Sequence, residues 1–527
     1  MADVASSESK TTDYEIGQDN IQIMGLDIHN PVFLISSVTI VAFVIFTLMF
    51  QEGATEFFGA TRKWLTTTFD WVFMGATNIF VLFCLFLVVS PMGKIRIGGA
   101  GATPDYSYIG WFAMLFAAGM GIGLMFFGVL EPVNHMLTPP LGVDPADTEA
   151  AREIGMAATI FHWGLHPWAV YAVVALALAF FTYNRGLPLT VRSAFYPIFG
   201  EAVWGWLGHV IDTLAVFATL FGLATSLGIG AEQASAGINF LFGIPATDVT
   251  KVLLIIGITM IALGSVLAGL DAGVKRLSEI NMVLALLLML CVIVFGPTLE
   301  IISGFFANIW GYVKNVPALS NWVGRDDTGF LHGWTTFYWA WWISWSPFVG
   351  MFIARVSKGR TVREFIVCVL LIPTLVSVLW MTSFGGTAIS QFVNDGYTGV
   401  TETVTAWTPE LSLFKMLELL PLSSLLSFVG IVLVIVFFVT SSDSGSLVID
   451  TITAGGKIDA PVAQRVFWCT FEGLVAIALL LGGGLVSLQA AAIATGFPFT
   501  IVLLGMCVAT YMGLRSELRS PAPAAAE

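Results

Sequence analysis

Apolar and polar stretches alternate along this chain at the spacing of a membrane. Apolar runs long enough to cross a bilayer lie near residues 31–50, 70–90, 108–130, 156–181, 205–241, 252–270, 278–300, 330–356, 363–388, 421–443, 464–483 and 487–513. They predict an all-α polytopic membrane protein with twelve transmembrane helices, here called spans 1 to 12. The fifth run is too long for one perpendicular crossing, so it tilts or continues beyond the bilayer. Residues 301–322 place Phe305, Ile309, Tyr312 and Val313 beside Lys314. That pattern predicts an amphipathic helix along the outer surface.

Charge orients the spans. With the N-terminus inside, the inward loops receive fifteen Lys and Arg and the outward loops seven. This satisfies the positive-inside rule and predicts that both termini are cytoplasmic. Composition agrees: 57% of residues are hydrophobic and 11% charged, against roughly 25% charged in soluble domains. The net charge of −13 sits largely in the N-terminal tail and the loop after span 3, and points to no nucleic-acid partner. The five cysteines fall within predicted spans with no CxxC pair, so neither a disulfide framework nor a thiolate metal site is expected. The first 30 residues are polar and acidic and do not read as a cleavable signal peptide.

Spans 3 and 8 each carry a mid-span interruption, Gly119-Met120-Gly121-Ile122-Gly123 and Ser346-Pro347-Phe348-Val349-Gly350. Each glycine lowers helix propensity by about 1 kcal/mol, and Pro347 removes a backbone donor. Such glycines are either close-packing contacts between helices or breaks that line a cavity. Gly119, Gly121, Gly123 and Pro347 are the predicted hinge positions. The interruptions lie five spans apart, as expected if spans 3–7 and 8–12 are inverted repeats, each opening with a helix that supplies the site. The chain then divides into a cytoplasmic tail (1–30), spans 1 and 2 (31–107), the first repeat (108–300), the surface helix (301–329), the second repeat (330–513) and a short cytoplasmic tail (514–527).

Aromatic residues mark two of these spans. Span 8 holds Trp339, Trp341, Trp342 and Trp345 within seven residues, near its middle. Trp341, Trp345, Phe348 and Phe352 share one helical stripe, and Trp342 stands about 100° away. Span 4 holds Trp163, Trp168 and Tyr171, with Pro167 expected to bend the helix between them. A tryptophan cluster serves plain packing or an interfacial belt, or attracts a cation that cannot donate hydrogen bonds, such as a quaternary ammonium. Two clusters on different helices could wall an aromatic box. His162 and His166 have an i, i+4 spacing that could bind metal, but no third ligand is apparent. In span 10, Thr440 and Ser441 precede Asp443. These hydroxyls either bond back to their own helix or, with carbonyls of an unwound helix, suit Na+. Asp443 is either structural or lines a cytoplasmic pathway.

Together, the runs at 119–123, 163–171, 339–348 and 437–444 resemble the betaine/choline/carnitine transporter family, and the resemblance spans about 30–515. It implies a LeuT-type core of two inverted five-helix repeats, two extra N-terminal helices, and a homotrimer in the lipid of a bacterial inner membrane. It also implies an aromatic box for an onium head group: Trp163, Trp168, Tyr171 and Trp342. Trp345 and the backbone around Ala118 and Met120 would meet the substrate carboxylate, with Trp341 beside them. The family's sodium site matches the carbonyls of Ala117, Met120 and Phe437 and the hydroxyls of Thr440 and Ser441, which makes Na+ the expected coupling ion. A second sodium site matches Thr219 and Phe348, but Leu223 stands where a threonine is expected. Choline-specific members tend to carry an acid at the position of Gly121, so the substrate here should bring its own carboxylate. The resemblance thus implies Na+ symport of glycine betaine or dimethylsulfoniopropionate (DMSP), with a proton-coupled choline or carnitine transporter as the alternative. A membrane enzyme would need a convergent acid/base or metal constellation, and none is seen. An onium sensor would need a large signalling domain, for which neither terminus has room.

Overall fold

The computed structural model describes residues 12–119, 121–268 and 274–519. Met120, whose backbone was expected at both the substrate and sodium sites, lies outside the described residues, as do 1–11 of the N-terminal tail and 520–527 of the C-terminal one. Spans 1 and 2 are Val32–Met49 and Asp70–Val89. Span 3 is two helices, Tyr108–Gly119 and Ile122–Leu137, here 3a and 3b, bent by 65°. Span 4 is Thr148–Trp163 and Leu165–Tyr183, here 4a and 4b. Spans 5 to 7 are Trp206–Phe242, Asp248–Ala268 and Val274–Phe295. Spans 8 to 12 are Thr336–Val356, Val362–Val393, Ser423–Thr453, Val462–Leu481 and Gly484–Arg519. Span 5, at 37 residues, is about 55 Å long, far more than one perpendicular crossing needs.

Among the described residues, ten helices pass as membrane-crossing by length and hydropathy, and the bent pair of span 3 makes eleven. Span 8 falls short because tryptophan and hydroxyl residues replace aliphatic ones. Its crossing follows from connectivity instead. The segment before span 3 pairs with the segment after span 8: Val362 N donates to Ile95 O at 2.8 Å, and Ile97 N to Arg360 O at 2.9 Å. The loop after span 3 meets the loop before span 8, where Leu141 N donates to Asp327 Oδ2 at 2.9 Å. Span 3 separates the first pair of loops from the second, so span 8 must cross back. Since other helices surround it and most of its residues are buried, it does not need a lipid-compatible surface.

Helix pairing carries the repeat. Span 3b packs on span 9, and span 8 on span 4; span 5 packs on 12, and span 10 on 7; span 6 packs on 10, and span 11 on 5. Exchanging every span with the one five positions away converts each of these pairs into its companion, as two repeats of five helices require. Spans 4 and 5 form the interior, with 94% and 89% of their apolar windows buried, whereas spans 6 and 7 bury 33% and 28% and face lipid.

Three departures from the expected pattern have local causes. Span 8 runs unbroken through Pro347. The proline frees the carbonyl of Ile343, and the Ser346 hydroxyl donates to it at 2.7 Å, so the helix continues. Span 4 is interrupted at Gly164, not bent at Pro167. Pro167 sits in the first turn of 4b, where its missing N–H costs no intrahelical hydrogen bond. The amide of Leu165, freed by the interruption, donates to Tyr312 Oη at 3.1 Å. Tyr312 belongs to the predicted surface helix, observed at Thr298–Leu319. It approaches so closely that a Cβ on Gly164 would lie 3.0 Å from Tyr312 Oη. Finally, part of the N-terminal tail is ordered as a hairpin, Asn20–Ile23 paired with Leu26–His29. Met24 and Gly25 both have positive φ, 50° and 79°, which suits a two-residue type I′ turn. The hairpin docks on the loop after span 10 through Asp27–Lys457 at 2.5 Å and Asn20 Nδ2 to Ala454 O at 2.8 Å. A further amphipathic helix, Gln51–Thr68, links spans 1 and 2.

Candidate functional site

The break in span 3 opens a cavity between spans 3, 4, 5, 8 and 9. Ala118, Gly119, Gly121 and Gly123 line one side, Trp163, Trp168 and Tyr171 a second, and Trp341, Trp342 and Trp345 a third. About 60 Å3 of it is open to the centre of a water molecule. One water needs roughly 10–15 Å3 on that measure, so several waters or a small solute fit. Among the described residues, no charged side chain lines it.

The three glycines have separate tasks. A Cβ on Gly123 would lie 2.6 Å from Trp163 Cη2 and 3.1 Å from Trp341 Cη2, and one on Gly119 would lie 3.2 Å from Trp168 Cζ2. These two positions let the indoles reach the break. Gly121 is extended (φ −173°, ψ −176°) and meets nothing within 4 Å. It faces open cavity, where a side chain has room.

The rings form a box. Trp168 meets Tyr171 at 5.2 Å between centroids with planes 71° apart, Tyr171 meets Trp342 at 6.3 Å and 76°, and Trp342 meets Trp163 at 4.9 Å and 74°. Successive walls are therefore close to perpendicular. Trp341 stacks on Trp342 from behind at 4.9 Å and 16°. The polar edges of the span 8 indoles are fixed: Trp342 Nε1 donates to His162 O (2.9 Å), Trp341 Nε1 to Ser226 Oγ (3.1 Å) and Trp345 Nε1 to Gly222 O (2.9 Å). The donor of Trp345, expected near a substrate carboxylate, is thus engaged with span 5. Trp339 turns away from the box; its Nε1 meets Met74 Sδ at 3.0 Å and its ring stacks on His166.

His162 and His166 do not converge on a common ligand. His166 pairs with Asn78 at 3.0 Å, while His162 turns to Glu131 in 3b, a residue that the sequence reading passed over. Glu131 Oε1 lies 2.6 Å from His162 Nδ1 and 3.3 Å from His135 Nε2. Its Oε2 accepts from Trp163 Nε1 at 2.8 Å and Tyr338 Oη at 2.5 Å. Ligand atoms of Glu131, His135 and His162 lie within 4.8 Å of one another and could hold a metal ion. All three are already hydrogen-bonded, and none lines the cavity. An ionisable residue inside an apolar span is a functional pointer in its own right, and that signal could have found Glu131.

The expected sodium ligands are divided between helix 3a and span 10. Ala117 is in the last turn of 3a, beside the cavity-lining Ala118. Span 10 is a continuous helix over Phe437, Thr440 and Ser441, and the Thr440 hydroxyl donates back to Val436 O at 3.0 Å and Phe437 O at 3.1 Å. Thr219 likewise bonds Ala215 O at 2.7 Å within span 5. Phe348 packs against Trp345 at 5.4 Å. Leu223 occupies the space left by Gly445, where a Cβ would lie 2.2 Å from Leu223 Cδ1. Asp443 is buried, and its neighbour Ser442 donates to Glu472 at 3.1 Å.

Residues 31–519 match the family described as BCCT, betaine/carnitine/choline family transporter. The chain belongs to this family. The transporter is 62% identical to a glycine betaine/proline/choline transporter of Vibrio parahaemolyticus, over 96% of this chain and 95% of that protein. It is 54% identical to glycine betaine transporter 1 of the same organism, over 96% and 98%. It is 40% identical to the glycine betaine transporter OpuD of Bacillus subtilis, over 93% and 95%. The transporter is thus a multi-pass membrane protein that carries a small molecule, and it is not an enzyme.

Proposed function

We propose that this transporter imports zwitterionic onium solutes, glycine betaine or DMSP, by Na+ symport. The observation that carries the reading is the box of near-perpendicular rings around a cavity with no charged side chain. Ring faces attract a cation that offers no hydrogen-bond donor. A fixed charge in such a site would be costly unless paired, so a substrate carrying both signs suits it. The printed names of the Vibrio and Bacillus relatives include glycine betaine. Choline is a second reading, favoured by the name of the 62% identical relative. Sodium coupling is supported by the hydroxyls of Thr440 and Ser441 on span 10, which packs on 3b. The resemblance to sodium-coupled members also supports a homotrimer in a bacterial inner membrane, which the mass of the detergent-solubilised complex tests.

The deciding experiment is uptake of labelled glycine betaine, DMSP and choline into proteoliposomes under a Na+ gradient, with K+ replacing Na+ at constant pH as the control. Uptake of the zwitterions should need Na+, and Thr440→Ala with Ser441→Ala should remove its steep Na+ dependence. Equal uptake in K+ would overturn the sodium reading, and choline preferred over both zwitterions would overturn the substrate reading.

A further inference from the structure

Glu131 ties together the elements that build the box. Its side chain is 0% exposed. An ionised carboxylate only accepts hydrogen bonds; in that state His162 Nδ1 and His135 Nε2 are the donors to Oε1. His162 Nε2 then faces the Thr335 hydroxyl at 2.9 Å, and His135 Nδ1 the Asn134 amide at 3.3 Å. With Trp163 and Tyr338 on the other oxygen, every neighbour of the carboxylate is a donor. The carbonyl of His162 in turn holds Trp342. One acid on span 3 therefore fixes two walls of the box, Trp163 directly and Trp342 through His162. It stands one hydrogen bond behind the Trp163 ring, beside a cavity without charge of its own.

We propose that Glu131 is a positioning residue that also sets the preference of the box for a cation, by placing a negative charge behind the Trp163 indole. A carboxylate on the indole N–H pushes electron density toward the ring face. Its charge also acts on the ligand through a low-dielectric interior, where Coulomb attraction is strong. The inference rests on the onium reading above, and it explains how a cage without a lining acid can favour positive charge.

The test measures dissociation constants on the purified full-length transporter by calorimetry. Its two ligands are glycine betaine and 3,3-dimethylbutyrate, which replaces the ammonium nitrogen with carbon and keeps the shape and carboxylate. Glu131→Gln keeps the volume and one acceptor but removes the charge. It should raise the Kd of glycine betaine about tenfold and that of the carbon isostere by less than about threefold, which narrows the preference for the cation. Glu131→Asp keeps the charge on a shorter arm and should weaken both ligands alike. Tyr338→Phe removes a donor and leaves the charge. It must keep the cation preference, and it serves as the test if the Gln variant does not fold. The proposal is overturned if Gln leaves glycine betaine binding within about twofold of wild type, if Gln weakens both ligands equally, or if Asp or Tyr338→Phe loses the preference. A wild type that binds neither ligand would instead refute the onium reading itself.

Discussion

Spans 3 and 8 hold equivalent places in the two repeats, yet one is broken and the other continuous. Span 8 contains the proline, but the Ser346 hydroxyl takes the carbonyl that Pro347 frees, and the helix runs on. Span 3 contains no proline in its interruption. It breaks where Gly121 is fully extended and where indoles from spans 4 and 8 occupy the space that side chains at Gly119 and Gly123 would need. A lost backbone bond alone is therefore not enough to break a membrane helix. The break occurs where the freed backbone and the missing side chains together make room for a cavity, and the intact helix opposite supplies the rigid rings.

The comparison can be broken most sharply at Gly123. Gly123→Ala forces two indoles apart, and overpacking by about 1–3 kcal/mol plus a lost cation–π contact should weaken glycine betaine binding about 100-fold. An affinity close to wild type would mean that the break does not position the box. On span 8, Trp342→Leu removes one wall and should weaken binding about 30-fold, from about 2 kcal/mol of cation–π attraction. Trp339→Leu, on the face turned toward span 2, should lower thermal stability instead and leave the Kd nearly unchanged; equal effects on binding would refute the two-face reading. Gly121→Asp uses the open space at the break. It should repel the carboxylate of glycine betaine, raising its Kd about tenfold, while choline binding is gained. Direct binding of both ligands checks this, and unchanged selectivity would place the specificity elsewhere. The smallest effect is expected at Ser346→Ala. It strands a buried carbonyl for about 1–3 kcal/mol, read as a lower melting temperature in detergent with substrate affinity largely kept.

How much of this was legible beforehand differs by feature. The spans were legible because a lipid-facing helix must be apolar along its whole length, and that constraint is local. The long fifth span, the surface helix with Tyr312 and the break at 119–123 follow from the same local rules. The candidate box residues were legible from composition, since clustered tryptophans inside a span are rare enough to notice. Glu131 was missed because the apolar run was closed at residue 130, one position before this acid, whereas helix 3b continues to Leu137. The fate of Pro347 was not legible, because whether Ser346 bonds back depends on a rotamer and not on the residue type.

The sequence by itself determined a polytopic helical membrane protein, the order of its spans and the two helices that carry its clustered tryptophans. All of these rest on hydropathy and short-range propensity, which act along the chain. Only the tertiary structure decided that Trp342 faces Trp163 and Tyr171 while Trp339 faces Met74, that Gly164 and not Pro167 interrupts span 4, and that one carboxylate gathers Trp163, Tyr338, His135 and His162. Apart from His135, one turn from Glu131 on the same helix, these are contacts between helices whose residues lie from 31 to more than 200 positions apart in the chain. Their geometry is fixed by packing across the repeats, where the space open to each side chain depends on neighbours that no local pattern names.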